Sequence, residues 1–160
     1  MKRLISIVVI LISTVVLASC SSSENQKKAD EEEGCEIAMI AESADVEDGS
    51  FTQATWESVK SFSEENGVKA KVYKPKEASQ EQYMTSIKEA ADDGAGFIVL
   101  AGSGFETTAY AAQSQYADLD FLLIDGVPHD ENNTYATAAN MVSVVFAEEE
   151  AGYMAGYAAV

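Results

Sequence analysis

Short apolar runs alternate with helical patterns from Cys35 onward, and that alternation leaves few folds open to the chain. Cys35 to Ala41 is strand-like. Phe51 to Asn66 then places Phe51, Thr55, Val59 and Phe62 on one helical face, with Gly67 as the stop. Lys69 to Tyr73 alternates as a strand does, and Pro75 ends it. Ser79 opens a second helix with Gln82 three residues on, a capping box, and Gly94 closes it. Its core face is Tyr83, Ile87, Ala90 and Ala91. Phe97 to Ala101 is wholly apolar, an alanine-rich helix runs to about Tyr116, and Phe121 to Ile124 is apolar again. Val142 to Phe146 reads as one more strand and Glu148 to Val160 as a helix. This β-α-β-α-β-α-β order implies an α/β fold, a parallel sheet with helices on both faces. The unbroken apolar runs agree, because strands of such a sheet are buried on both sides.

The net charge of −17 narrows the partners. An acidic surface repels phosphate backbones, which excludes nucleic acid as a partner. It equally disfavours adsorption to an anionic membrane by charge. With two cysteines and one histidine in the whole chain, a nitrogen- or sulfur-rich metal site is not expected. Cys35, at the head of an apolar run, reads as a small buried hydrophobe.

The first nineteen residues have the layout of a secretory signal, with Lys2 and Arg3 ahead of an apolar run from Leu4 to Leu17. That run is too short to span a bilayer, which takes about 20 residues. Leu17-Ala18-Ser19-Cys20 resembles the lipobox of bacterial lipoproteins, which implies a diacylated Cys20 and residence on the outer face of the cell membrane. The expected organisation is a signal peptide over 1–19, lipidated Cys20 with a solvated tether over 20–34, a first α/β lobe over 35–127, and a hinge crossing with the start of a second lobe over 128–160. The last helix reaches Val160 without a cap, and its Gly152 and Gly156 offer a small-residue face to a neighbour. A fragment of a longer protein is therefore expected.

Ligands of open α/β sheets collect beyond the carboxyl ends of the strands. Three segments lie there: Glu42 to Thr52, Gly102 to Phe105, and Asp125-Gly126. Ser50 and Gln53 form another capping box, so the first segment starts a helix. Phe51, on that first turn, either packs in the core or offers a flat face to a planar ligand. Asp125 either forms an Asp-Gly turn or accepts hydrogen bonds from a ligand. Enzyme signatures are missing. Gly102-x-Gly104 has Thr107 where a dinucleotide fingerprint has its third glycine, and no phosphate-cradling loop with Lys-Ser or Lys-Thr occurs. No nucleophile–base–orienter set can be assembled. His129, after Pro128, reads as an exposed loop residue, and Trp56 as a packing residue. No enzyme and no cofactor are expected.

The segment Asp48-Gly49-Ser50-Phe51-Thr52-Gln53-Ala54-Thr55-Trp56-Glu57 resembles the Asp-Gly-Ser-Phe-Asn-Gln-x-x-Trp-Glu signature of the basic membrane protein (BMP) lipoproteins. Phe121 to Gly126 resembles that family's Phe-x-x-Ile-Asp-Gly strand, and Ser143 to Gly156 its Val-Phe-x-x-x-Glu-(Ala/Gly)-x-Tyr-Leu-Ala-Gly block. The resemblance covers Cys35 to Val160. It implies a type I periplasmic-binding-protein fold of two lobes, in a substrate-binding protein that delivers nucleosides to an ABC permease. The first interlobe crossing would lie between Val127 and Asn140. Phe51 would stack on the base, Asp125 would bond the base edge, and Asp48 would hold its loop or touch ligand. Thr52 stands where the family usually has a ligand-contacting Asn, and its hydroxyl cannot present an amide's separate donor and acceptor. Gly102 is counted with this ligand-facing set. A monomer is expected. The alternatives from the same fold are a binding protein for a sugar or small signalling molecule, or a surface sensor or interaction lipoprotein.

Overall fold

The computed structural model describes residues 34–42, 47 and 49–159. The leader, Cys20, the tether and Asp48 lie outside the described residues. Five strands form one parallel sheet in the order β2-β1-β3-β4-β5. They are β1 (Ile37–Ile40), β2 (Ala70–Tyr73), β3 (Phe97–Ala101), β4 (Asp120–Ile124) and β5 (Met141–Val144). Among the described residues four α-helices accompany them: α1 (Phe51–Asn66), α2 (Gln80–Asp92), α3 (Glu106–Gln115) and α4 (Glu148–Ala158). A 3-10 turn, Ser103–Phe105, leads into α3. The α/β class and the parallel sheet with helices on both faces stand as expected.

Helix starts follow their capping residues. The Ser50 hydroxyl accepts the Gln53 N–H at 3.4 Å, and the Gln53 amide oxygen reaches back to the Gly49 N–H at 2.6 Å. Ser79 does the same for the Gln82 N–H at 3.4 Å. Each bond satisfies one of the donors that a helix leaves open at its start, and such a cap contributes about 1 kcal/mol. Gly67 ends α1 at φ 67°, with its N–H on the Ser63 carbonyl.

Alternation along the strands divides the core into two layers. Ala38, Ile40, Ile98, Leu100, Phe121 and Leu123 face α2 and α3, where they meet Tyr83, Ile87, Phe105 and Ala109. Ile37, Met39, Val72, Val99, Leu122 and Ile124 turn to the other face, which α1 covers through Trp56 and Val59. Helix cover on that second face is partial. An apolar groove of about 470 Å³ remains beside α1, lined by Ile37, Thr55, Val59, Phe62, Val99 and Leu122 among others. The expected core stripe of α1 therefore borders this groove and is only partly buried: Thr55 is buried, but Phe51 and Phe62 are 42% and 54% exposed.

The expected lobe boundary at residue 128 needs correcting. β5 pairs with β4 in the same sheet, Phe121 opposite Met141 and Ile124 opposite Val144. The intervening segment is pinned to α3. Buried Gln113 donates to the Ala136 carbonyl at 2.9 Å and accepts the Ala138 N–H at 2.8 Å. The Asn140 amide donates to the carbonyls of Gln113, Tyr116 and Leu119 at 3.2, 3.3 and 2.9 Å. Of these, the Gln113 and Tyr116 carbonyls stand at the end of α3, where no further turn of helix supplies a donor. Residues 128–144 thus belong to this sheet rather than to a second lobe. The fifth strand also starts one residue earlier than expected, on buried Met141, and ends before exposed Val145 and Phe146.

The opposite edge of the sheet has its own cluster. Tyr73 donates its hydroxyl to Asp93 at 2.6 Å, Lys71 pairs with the same carboxylate, and Cys35 Sγ lies 3.3 Å from the Tyr73 oxygen. Hydrogen bonds from Lys71 and Tyr73 hold the Asp93 carboxyl below its ordinary range. Burial, then the Asp93 carboxylate, pushes the Tyr73 hydroxyl up. Cys35 is 3% exposed, the buried small hydrophobe its setting implied.

Candidate functional site

The strand order reverses between β1 and β3, because β2 lies to one side of β1 and all later strands to the other. Loops leaving the carboxyl ends of β1 and β3 diverge at such a point and open a crevice. The turn after β3 is shaped for it. Gly102 has φ 119°, a value L side chains rarely adopt, and its N–H is held by the Ile124 carbonyl at 2.8 Å. A β-carbon on Gly104 would lie 2.8 Å from a Glu42 carboxylate oxygen, so the Glu42 side chain lies directly over this turn.

A polar hollow of about 280 Å³ lies along the same edge. Ser103, Glu106, Asp125, Gly126, Val127, Val145, Phe146 and Glu148 line it. The apolar groove beside α1 is larger, but its polar side chains are spent: the Thr55 and Ser58 hydroxyls donate to the Phe51 and Ala54 carbonyls at 2.9 Å each. Nothing there would orient a polar ligand, so the smaller hollow is the better site.

Asp125 stands at the tip of β4 in the left-handed region, φ 64°. Its N–H donates to the Val144 carbonyl at 2.7 Å, and among the described residues its carboxylate makes no hydrogen bond or ion pair. A non-glycine residue in this conformation is strained, and such strain gathers at functional sites. Phe146 joins the hollow to α1, since its ring meets Phe51 edge-on with centroids 6.2 Å apart. Both rings remain about half exposed, which leaves aromatic surface at the rim of the crevice.

A family model for PnrA-like ABC transporter substrate-binding proteins matches residues 35–160. The chain belongs to this Bmp family. Over 126 residues it is 28% identical to the ABC transporter nucleoside-binding protein BmpA of Lactococcus lactis subsp. cremoris, covering 76% of this chain and 33% of that protein. Basic membrane protein A of Borreliella afzelii is 28% identical over 113 residues, covering 71% of this chain and 33% of that protein. The Borreliella burgdorferi protein of the same name is 27% identical over 113 residues, covering 71% and 31% respectively. The chain thus matches about a third of the length of these relatives. Among solved structures, a lipoprotein fragment from Peptoclostridium difficile 630 superposes with a TM-score of 0.46 at 18% identity, over 78% of this chain and 96% of that one.

Within this Bmp chain the expected site residues are only partly gathered. Asp125 lines the hollow, Gly102 is bonded to the strand residue just before it, and Phe51 approaches through Phe146. Thr52 is 7% exposed and turned inward from the first turn of α1. Glu42, Ser103, Glu106, Phe146 and Glu148 went unnoticed as individual residues in the sequence. Only strand ends flag such positions, and Phe146 was hidden because it reads as strand. His129 is not the exposed loop residue its neighbours imply. Its side chain is 16% exposed, and its Nε2 lies 3.3 Å from a Glu106 carboxylate oxygen. Trp56 packs on the sheet face that α1 covers, as expected, with Lys60 Nζ 5.9 Å from the centre of its ring. Among the described residues no helix is long and apolar enough to cross a membrane, and no three His, Cys, Asp or Glu side chains converge as metal ligands.

Proposed function

We propose that this protein is the lipid-anchored, extracytoplasmic binding component of an ABC importer, and that it captures an uncharged nucleoside between two lobes without making or breaking a bond. The observation that carries this reading is Asp125, a carboxylate with no partner among the described residues, held in a strained turn beside the exposed Phe51–Phe146 pair. A flat base with ring N–H groups needs these two things, an aromatic face and an acceptor at its edge. The negative charge of the hollow argues for a nucleoside rather than a nucleotide, since Glu106, Asp125 and Glu148 would all repel a phosphate. The nucleoside-binding description of the Lactococcus relative supports the same ligand class. Ribose contacts and the permease-docking surface belong, in this reading, to the second lobe and the closed form.

Calorimetry on the full-length protein tests the proposal with adenosine, inosine, guanosine and uridine as probes. At least one should bind with measurable heat, and adenosine should bind far more tightly than AMP. Base–aromatic stacking contributes about 1–3 kcal/mol, so Phe51→Ala should weaken that nucleoside roughly 5- to 150-fold. Absence of heat with all four nucleosides overturns the assignment. Anchoring is tested separately: Cys20→Ala should move the protein from the membrane fraction to the soluble fraction, and a variant retained on membranes speaks against lipidation.

A further inference from the structure

The turn that presents Asp125 is fastened at three points. Two of them do not titrate near neutrality: the Asp125 N–H on the Val144 carbonyl at 2.7 Å, and the Ser143 hydroxyl on the Gly126 carbonyl at 2.5 Å. The third is Glu106, whose Oε1 accepts the Val127 N–H at 2.9 Å. Glu106 lies so close over the turn that a β-carbon on Gly126 would come within 2.9 Å of its Cγ. Its other oxygen, Oε2, faces His129 Nε2 at 3.3 Å.

The imidazole has a restricted choice of protonation states. His129 Nδ1 lies 2.7 Å from the Asp130 carbonyl oxygen, which can only accept, so Nδ1 carries a hydrogen. A neutral ring then presents the bare lone pair of Nε2 to the Glu106 carboxylate, and two acceptors face each other. Only the imidazolium donates at both nitrogens. The other groups around the ring do not change this. Tyr135 meets the ring at a tilt, 5.1 Å between centroids and 56° between planes, and the Asp130 carboxylate accepts the N–H groups of Asn132 and Thr134 at 2.8 Å each. Its charge still favours the proton, while Asp125 and Glu148 line the hollow with Glu106.

We propose that Glu106 is a positioning residue for the binding crevice and that a proton on His129 sets how firmly it holds the Asp125–Val127 turn. The Asp130 carbonyl first, then Glu106, raise the His129 pKa above the ordinary value of 6.5. The hold is therefore complete below that value and is lost as pH rises through the higher folded one. Glu106 contacts no ligand in this account. It acts through the turn, and only the link to ligand affinity rests on the nucleoside reading.

The His129 resonance is identified in the full-length protein by its absence from a His129→Asn variant, and its NMR titration is then followed directly. The expected midpoint lies above 6.5, and the Val127 amide should show an inflection at that same midpoint. Glu106→Gln keeps an acceptor for the Val127 N–H but removes the charge. It should lower the His129 midpoint and abolish the Val127 inflection while the amide stays hydrogen-bonded. A native midpoint at or below 6.5, or a Val127 amide that ignores the histidine, overturns the proposal. In binding, affinity for adenosine or inosine should fall roughly five-fold between about pH 6 and about pH 8 in the native protein and stay flat in Glu106→Gln. A nucleoside that binds with equal affinity at both pH values overturns the link to affinity. A protein that binds none of adenosine, inosine, guanosine and uridine at either pH overturns the functional reading alone, since the NMR midpoints decide the clamp by themselves.

Discussion

Asp125→Gly should weaken nucleoside binding about 10- to 150-fold while leaving the protein as stable as before or slightly more so. Two separate contributions meet at this residue. The carboxylate has no partner among the described residues, so under the proposed function a bond from ligand to it would break no contact among them. Bonds to a charged group typically contribute about 1.5–3 kcal/mol, which sets the expected loss. The backbone, by contrast, sits at φ 64°, where a β-carbon costs up to about 1–2 kcal/mol and glycine costs nothing. Glycine therefore relieves strain as it removes the acceptor. Calorimetry and a thermal melt on the same sample separate the two. A lower melting temperature with unchanged affinity would show that Asp125 only forms the turn.

Phe105→Ala should remove about 3–5 kcal/mol of stability, the range for emptying a buried aromatic site. Phe105 is fully buried, and its ring lies against Tyr83 with centroids 4.3 Å apart. It follows the Gly102–Gly104 turn directly and opens onto α3, so it fixes the floor of the crevice to the α2–α3 layer. A loss of this size is a large part of the roughly 5–15 kcal/mol that holds a domain folded. Urea unfolding measures it as a lower midpoint with an unchanged slope. A loss under about 1 kcal/mol would mean that neighbouring side chains collapse into the space, and that the floor does not depend on this ring.

The helices and strands were legible because their signals are local. Serines 50 and 79 mark helix starts through their own hydroxyls, and the apolar runs mark buried strands by composition. What escaped depends on contacts between distant residues. Gln113 and Asn140 are polar, so hydrophobic patterning passes over them, yet they fasten the β4–β5 segment and keep β5 in this sheet. His129 reads as a loop residue until Glu106, more than twenty positions earlier, comes to face it. The periodicity of α1 was read correctly, but periodicity reports which residues share a face and not whether anything covers it. Asp125 and Phe51 stand out as candidates in the sequence because strand ends and helix starts are legible; Phe146, just past a strand, does not.

All five strands point the same way, so the sheet has a foot and a rim about 15 Å apart. Cys35 is fixed at the foot, where its N–H bonds the Asp93 carbonyl at 3.1 Å, whereas Gly102 and Asp125 stand at the rim. The chain thus enters the sheet at the end opposite the crevice. Substitutions at the foot and at the rim act on opposite ends of the same strands, too far apart to share a contact, so their effects on stability should add.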